Sequence, residues 1–142
     1  MTNQAILELC NIYYNENMLE HAKRVANKAK SLYQFFDTSY SGGLDLLYQL
    51  GLAHDLYENT NITKKIWFDN EFEQNLNLLT KPSNINYYDY IQLIKNNTIQ
   101  HKEIYMPAYI VKLADISDIL SKKEELTEEE KEKYLTAISY LI

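Results

Sequence analysis

The chain has 142 residues, of which 46% are hydrophobic and 24% charged, with only 3 Gly and 2 Pro. That length suits one domain, that hydrophobic share excludes a disordered tail, and so few Gly and Pro exclude a sandwich or barrel of many short strands. A net charge of −6 speaks against a sequence-independent grip on a nucleic acid polymer, which rests on Lys and Arg contacts to phosphates.

The opening residues show neither a basic segment nor an unbroken apolar run, so no signal peptide is read there. No stretch is apolar for the ~18 residues that a membrane span needs. The single Cys10 excludes an internal disulfide and suits a reducing compartment. The expectation is a cytoplasmic protein with no membrane partner.

Met18, Ala22, Val25, Ala29, Leu32 and Phe36 step by three and four, which predicts an amphipathic helix over about 17–36. An SGG turn at 41–43 leads into a second helix marked by Leu44, Leu47, Leu50, Gly51, His54 and Glu58. Thr63 is placed to cap a short helix holding Trp67 and Phe68. Phe72, Leu76 and Leu79 give another, closed near Lys81-Pro82 because proline disfavours helix at the residue before it. Tyr87, Ile91 and Ile94 mark the next. Pro107 suits the first position of a helix over AYIVKLADISDIL, where its missing N–H costs nothing. Thr127 and Glu130 form a capping-box pattern that opens TEEEKEKYLTAISYL, with acids in the first turn, where the helix dipole favours them. The expected fold is a single all-α domain over residues 1–142, a compact bundle of roughly six to eight helices.

Three of these segments carry polar groups where apolar ones belong. His21 lies beside the buried stripe of its helix, and His54 falls on the core stripe with Asp55 following it. Asp115 interrupts the apolar run IVKLADI. Each histidine alone reads as a core residue. A buried carboxylate needs a cation, a donor or a metal beside it. One divalent ion could satisfy Asp55 and Asp115 together, with His21 and His54 as neutral donors, and such a set suits Mn, Fe, Co or Zn.

This H…HD…D order resembles the HD-domain metal-dependent phosphohydrolases. HAKRVA at 21–26 is similar to that family's first histidine helix, and AHDLYENTNIT at 53–63 to the HD-x-x-E-D-T segment of the RelA/SpoT-type (p)ppGpp hydrolase branch. LLTK, YYDYIQLIKNN, VKLADISDIL and the final LTEEEKEKYLTAISYLI follow in that branch's order, so the resemblance covers about 18–142. It implies an HD-domain bundle and one divalent ion held by His21, His54, Asp55 and Asp115. Manganese comes first, with Mg, Fe, Co or Zn as other fits. It also implies hydrolysis of a small nucleotide, most like a (p)ppGpp 3′-pyrophosphohydrolase. The alternatives are an HD enzyme acting on another nucleotide, or a module that binds a nucleotide without turnover.

The branch's acidic pair positions or deprotonates the attacking water, and here that pair is Glu58 and Asn59. Glu58 keeps the proton acceptor, whereas Asn59 can orient a partner but not take a proton. Two further departures bear on substrate. Ile119 stands where the branch carries a nucleotide-binding Asn, and no Lys or Arg precedes His21, where the branch has an Arg-Lys pair. Phosphate binding is therefore expected from Arg24, the only guanidinium in the chain, with Lys112 and Lys81 as further candidates. Among the tyrosines, those at 13, 14, 87, 88 and 109 are candidates to stack on a base.

Overall fold

The computed structural model of the protein describes residues 1–36, 43–63 and 68–142. Thr2, Asn15, Asp69, Asn86 and Thr127 each accept a hydrogen bond from the backbone N–H three residues on. Each thereby satisfies a donor that a helix start leaves free. The helices that follow these caps are α1 (Asn3–Tyr13), α2 (Glu16–Leu32), α5 (Asn70–Leu78), α6 (Tyr87–Gln100) and α8 (Glu128–Leu141). Between them lie α3 (Gly43–Ala53), the single turn α4 (Leu56–Asn59) and the long α7 (Lys102–Ser121). Among the described residues every regular element is helical, which is the expected all-α bundle.

The expected capping box opens α8, with Thr127 and Glu130 bonding reciprocally. Phe36 ends a short 3-10 turn after α2 rather than continuing it. The structure adds α1, which the sequence reading leaves unassigned. The SGG turn and the short helix at Trp67 lie outside the described residues, apart from Gly43, which opens α3.

α7 is buried on nearly every side, which is why its sequence shows almost no amphipathic stripe. Ala108, Ile110, Val111 and Ala114 join a core made with α1, α2, α3 and α5. Leu113 and Ile116 join a second core with α6 and α8. Each fully buried Leu or Ile stabilises by about 1.5–3 kcal/mol, so α7 is the element both halves depend on. Gly51 lets α2 and α3 approach closely, since a Cβ there would sit 2.5 Å from the Ala26 Cα.

Two expectations are corrected. Pro107 lies inside α7, not at its first position. The helix tolerates it because the fully buried Asn75 amide enters the ladder next to it: Asn75 Nδ2 donates to the Ile104 carbonyl at 3.0 Å, and the Ala108 N–H donates to Asn75 Oδ1 at 2.9 Å. The helix expected to run through His54 to Glu58 instead stops at Ala53 and resumes as α4.

Candidate metal centre

The stop at Ala53 has a local cause. Tyr14 Oη donates to the Leu52 carbonyl at 2.6 Å, and the Cys10 thiol reaches the same oxygen at 3.4 Å. His54 Nδ1 bonds the Gly51 carbonyl at 2.7 Å. The last carbonyls of α3 are thus taken by side chains instead of by the next helical turn. The chain is redirected at His54-Asp55, and both side chains turn towards α2 and α7.

There they meet the other two predicted ligands. One ligand atom each from His21, His54 and Asp55 lie within 4.8 Å of one another. Asp115 Oδ1 comes within 2.9 Å of His21 Nε2 and 3.4 Å of His54 Nε2, and Asp55 Oδ2 lies 3.3 Å from His54 Nε2. Each of the four side chains has its outer atom tied. His54 Nδ1 is held by Gly51, and His21 Nδ1 by Asp118 Oδ2 at 2.7 Å. Asp55 Oδ1 accepts from Asn59 Nδ2 at 2.9 Å, and Asp115 Oδ2 accepts from Lys112 Nζ at 3.0 Å.

That leaves one ligand atom each of His21, His54 and Asp55 grouped together, with Asp115 Oδ1 against the Nε2 of both histidines. With the ring protons on Nδ1, all four would offer lone pairs to a shared cation; with a proton on Nε2, His21 instead donates to Asp115 Oδ1 at 2.9 Å. His54 Nε2 is buried and makes no well-formed hydrogen bond among the described residues, although oxygens of Asp55 and Asp115 stand 3.3 and 3.4 Å from it. Two imidazoles and two carboxylates around a buried unpaired nitrogen fit a divalent ion.

The electrostatics follow from this crowding. Burial lowers the His54 pKa, but the Asp55 and Asp115 carboxylates outweigh it and raise it to about 9. Burial also opposes ionisation of Asp115, yet Lys112 and then the histidines hold it well below the usual carboxylate range. Asp118 is likewise penalised by burial and lowered on balance by Arg24, His21 and Lys28.

A cleft of about 580 Å³ opens onto the centre. His21, Asp55 and Asp115 line its floor, Glu58, Asn59 and Lys81 its rim, and Lys112 and Ile119 the wall from α7. Glu58 is not on one continuous helix with His54. Its Oε1 accepts the Lys81 N–H at 2.8 Å, while its other oxygen makes no hydrogen bond among the described residues. Lys81 Nζ is occupied by the Pro82 and Ile85 carbonyls at 3.1 and 2.8 Å.

Arg24 departs from expectation. It does not line the cleft, because its Nε donates to both oxygens of Asp118 at 3.0 and 3.1 Å, behind His21. Of the tyrosines singled out, Tyr87 lines the cleft, whereas Tyr14 is committed to Leu52 and Tyr109 to the Leu141 carbonyl. The sequence reading missed Asp118, which holds His21, and it missed Tyr90, Lys133 and Tyr134 in the cleft wall. Asp118 stands one turn after Asp115 in a segment with several apolar residues, and that spacing was the available signal. No protein-family model and no curated protein matches the chain.

Proposed function

We propose that the protein is a metal-dependent phosphohydrolase of the HD-domain kind, acting on a nucleotide phosphoester or pyrophosphate. Its residue pattern most resembles the (p)ppGpp 3′-pyrophosphohydrolases. One observation carries this reading: His21 from α2 and His54 and Asp55 from the α3–α4 junction bring ligand atoms within 4.8 Å of one another, with Asp115 from α7 against both histidines. A divalent ion held by His21, His54, Asp55 and Asp115 would supply Lewis-acid charge to a phosphoryl oxygen and acidify water.

The chain's own residues do the rest. Glu58 lines the cleft with one carboxylate oxygen unbonded among the described residues, and it accepts the proton of the attacking water. Lys112, buried and paired with Asp115, keeps its ammonium at the cleft wall, where it offsets charge gathering on the phosphoryl oxygens. Asn59 is a positioning residue that holds Asp55. Arg24 acts one step back, through Asp118 on His21. Ile119 in the cleft wall, where the branch has an amide, favours a second reading in which the same chemistry serves a different nucleotide.

The test measures bound metal and phosphate or pyrophosphate release over a nucleotide panel, with Mn, Mg, Co and Zn in turn. About one equivalent of divalent ion is expected, lost in His54→Ala and Asp55→Ala. Glu58→Gln should keep the ion and lose turnover by about 10²–10⁴-fold. Full metal content in both ligand variants, or no release from any nucleotide with any ion, would overturn the reading.

A further inference from the structure

The bend between α3 and α4 decides where two of the four ligands point. In an unbroken α-helix of about 3.6 residues per turn, consecutive side chains point about 100° apart. His54 and Asp55 are consecutive, yet His54 Nε2 and Asp55 Oδ2 lie 3.3 Å apart. The break after Ala53 brings them together, so whatever keeps α3 from running on into α4 also sets the aim of both ligands.

Tyr14, at the end of α1, sits at that break. Its hydroxyl donates at 2.6 Å to the Leu52 carbonyl, the oxygen that a further helical turn would use. The Asp55 backbone N–H acts on the same phenol oxygen, so the hydroxyl stands between the two sides of the break. Burial holds the phenol pKa well above the usual value, so the hydroxyl stays a donor. Cys10, also on α1, reaches that carbonyl only at 3.4 Å, and a thiol is a weak donor. The start of α1 is fixed to α3 as well: Gln49 Nε2 donates to the Met1 carbonyl at 3.0 Å and to Asn3 Oδ1 at 2.8 Å. Tyr14 does not line the cleft, so its effect on the site passes through the backbone at the break.

We infer that Tyr14 is a positioning residue of the metal centre: its hydroxyl holds the α3–α4 junction open and so turns His54 and Asp55 towards His21 and Asp115. The inference rests on the metal reading above and extends it to α1, a helix that contributes none of the four ligands. Without the hydroxyl, the Leu52 carbonyl takes back a helical N–H, α3 lengthens, and the two side chains swing apart.

The test compares the full chain with Tyr14→Phe and Ile6→Ala, using Mn²⁺ and Co²⁺ as probes in competition with a chromogenic chelator. Circular dichroism fixes a temperature at which all three are folded. Tyr14→Phe keeps the ring and removes only the hydroxyl. It should weaken binding of both ions by about tenfold or more and change the visible spectrum of bound Co²⁺. Ile6 is fully buried on the same helix but touches neither side of the break through a polar group. Ile6→Ala should lower the melting temperature yet leave ion affinity within about twofold of wild type. Unchanged affinity in Tyr14→Phe, or an equal loss in Ile6→Ala, would overturn the positioning role. Wild type that binds neither ion would refute the metal reading itself, and the inference with it. Wild type that binds both ions, with Tyr14→Phe binding them equally well, would refute the positioning role alone.

Discussion

Asn75 gives the sharpest test of how the central helix is built. Its side chain is fully buried and makes three hydrogen bonds: Nδ2 to the Glu71 and Ile104 carbonyls, each at 3.0 Å, and Oδ1 from the Ala108 N–H at 2.9 Å. Asn75→Leu keeps the branched shape and the number of heavy atoms and leaves no cavity, so lost bonds, with some overpacking by the larger methyl groups, set the cost. The Ile104 carbonyl and the Ala108 N–H lose their partners, at about 1–3 kcal/mol for each buried group. Partial closure of the α7 ladder recovers some of this, and a net loss of about 3 kcal/mol is expected. For a chain of this size that lowers the melting temperature by about 6–12 °C. Urea unfolding and thermal melting would measure it. Pro107→Ala restores a helical N–H and removes the ring that holds the ladder open. The double variant should therefore be more stable than the sum of single effects predicts, by about 1 kcal/mol or more. A cost below about 1 kcal/mol for Asn75→Leu, or strict additivity with Pro107→Ala, would show that the amide is not what accommodates the proline.

Gly51→Ala should destabilise by about 1–3 kcal/mol, the reverse of what alanine does in an open helix, because its Cβ meets Ala26 backbone atoms at 2.5 and 2.9 Å. Unfolding curves check this, and a stabilised variant would refute the close packing of α2 on α3. Asp118→Asn should lower divalent-ion affinity by about 10–100-fold without unfolding the protein, read by competition with a chromogenic chelator. Unchanged affinity would remove Asp118 from the support of His21. The Cys10 thiol is pushed up to about 12 by burial, so a thiol reagent at neutral pH should react with it only as the protein unfolds. Rapid labelling of the native protein, at a rate insensitive to urea, would contradict that burial.

The helices read from apolar spacing formed where residues of one stripe meet one core, as for Val25 and Ala29 or Ile91 and Ile94. α1 escaped that reading because only Ile6 and Cys10 are buried along it, two positions that establish no period. Pro107 was misplaced because the compensation comes from Asn75, 32 residues away in sequence, and no local rule connects them. That His21, His54, Asp55 and Asp115 are polar groups set among apolar ones was legible, because a charge or an imidazole on an apolar stripe needs a reason. Arg24 lies outside their convergence for a reason the sequence does not carry. Its chemistry suits a phosphate, but Asp118 reaches it first, and that contact exists only once α2 has packed on α7.

The same packing explains why an amide, not an acid, follows Glu58. Asn59 donates to Asp55 Oδ1 at 2.9 Å, and the Asp55 backbone carbonyl accepts the Asn59 N–H at 2.9 Å, so the two side chains are held together across the single turn of α4. A carboxylate at position 59 would meet Asp55 as a like charge and would add no donor to hold it. The amide instead fixes one oxygen of Asp55 and leaves the other turned towards His54. Lys112 does for Asp115 from inside α7 what Asn59 does for Asp55 from the rim. Two unrelated donors, a buried ammonium and an exposed amide, thus impose one arrangement on two carboxylates, and that arrangement brings Asp55 Oδ2 and Asp115 Oδ1 within 3.3 and 3.4 Å of His54 Nε2.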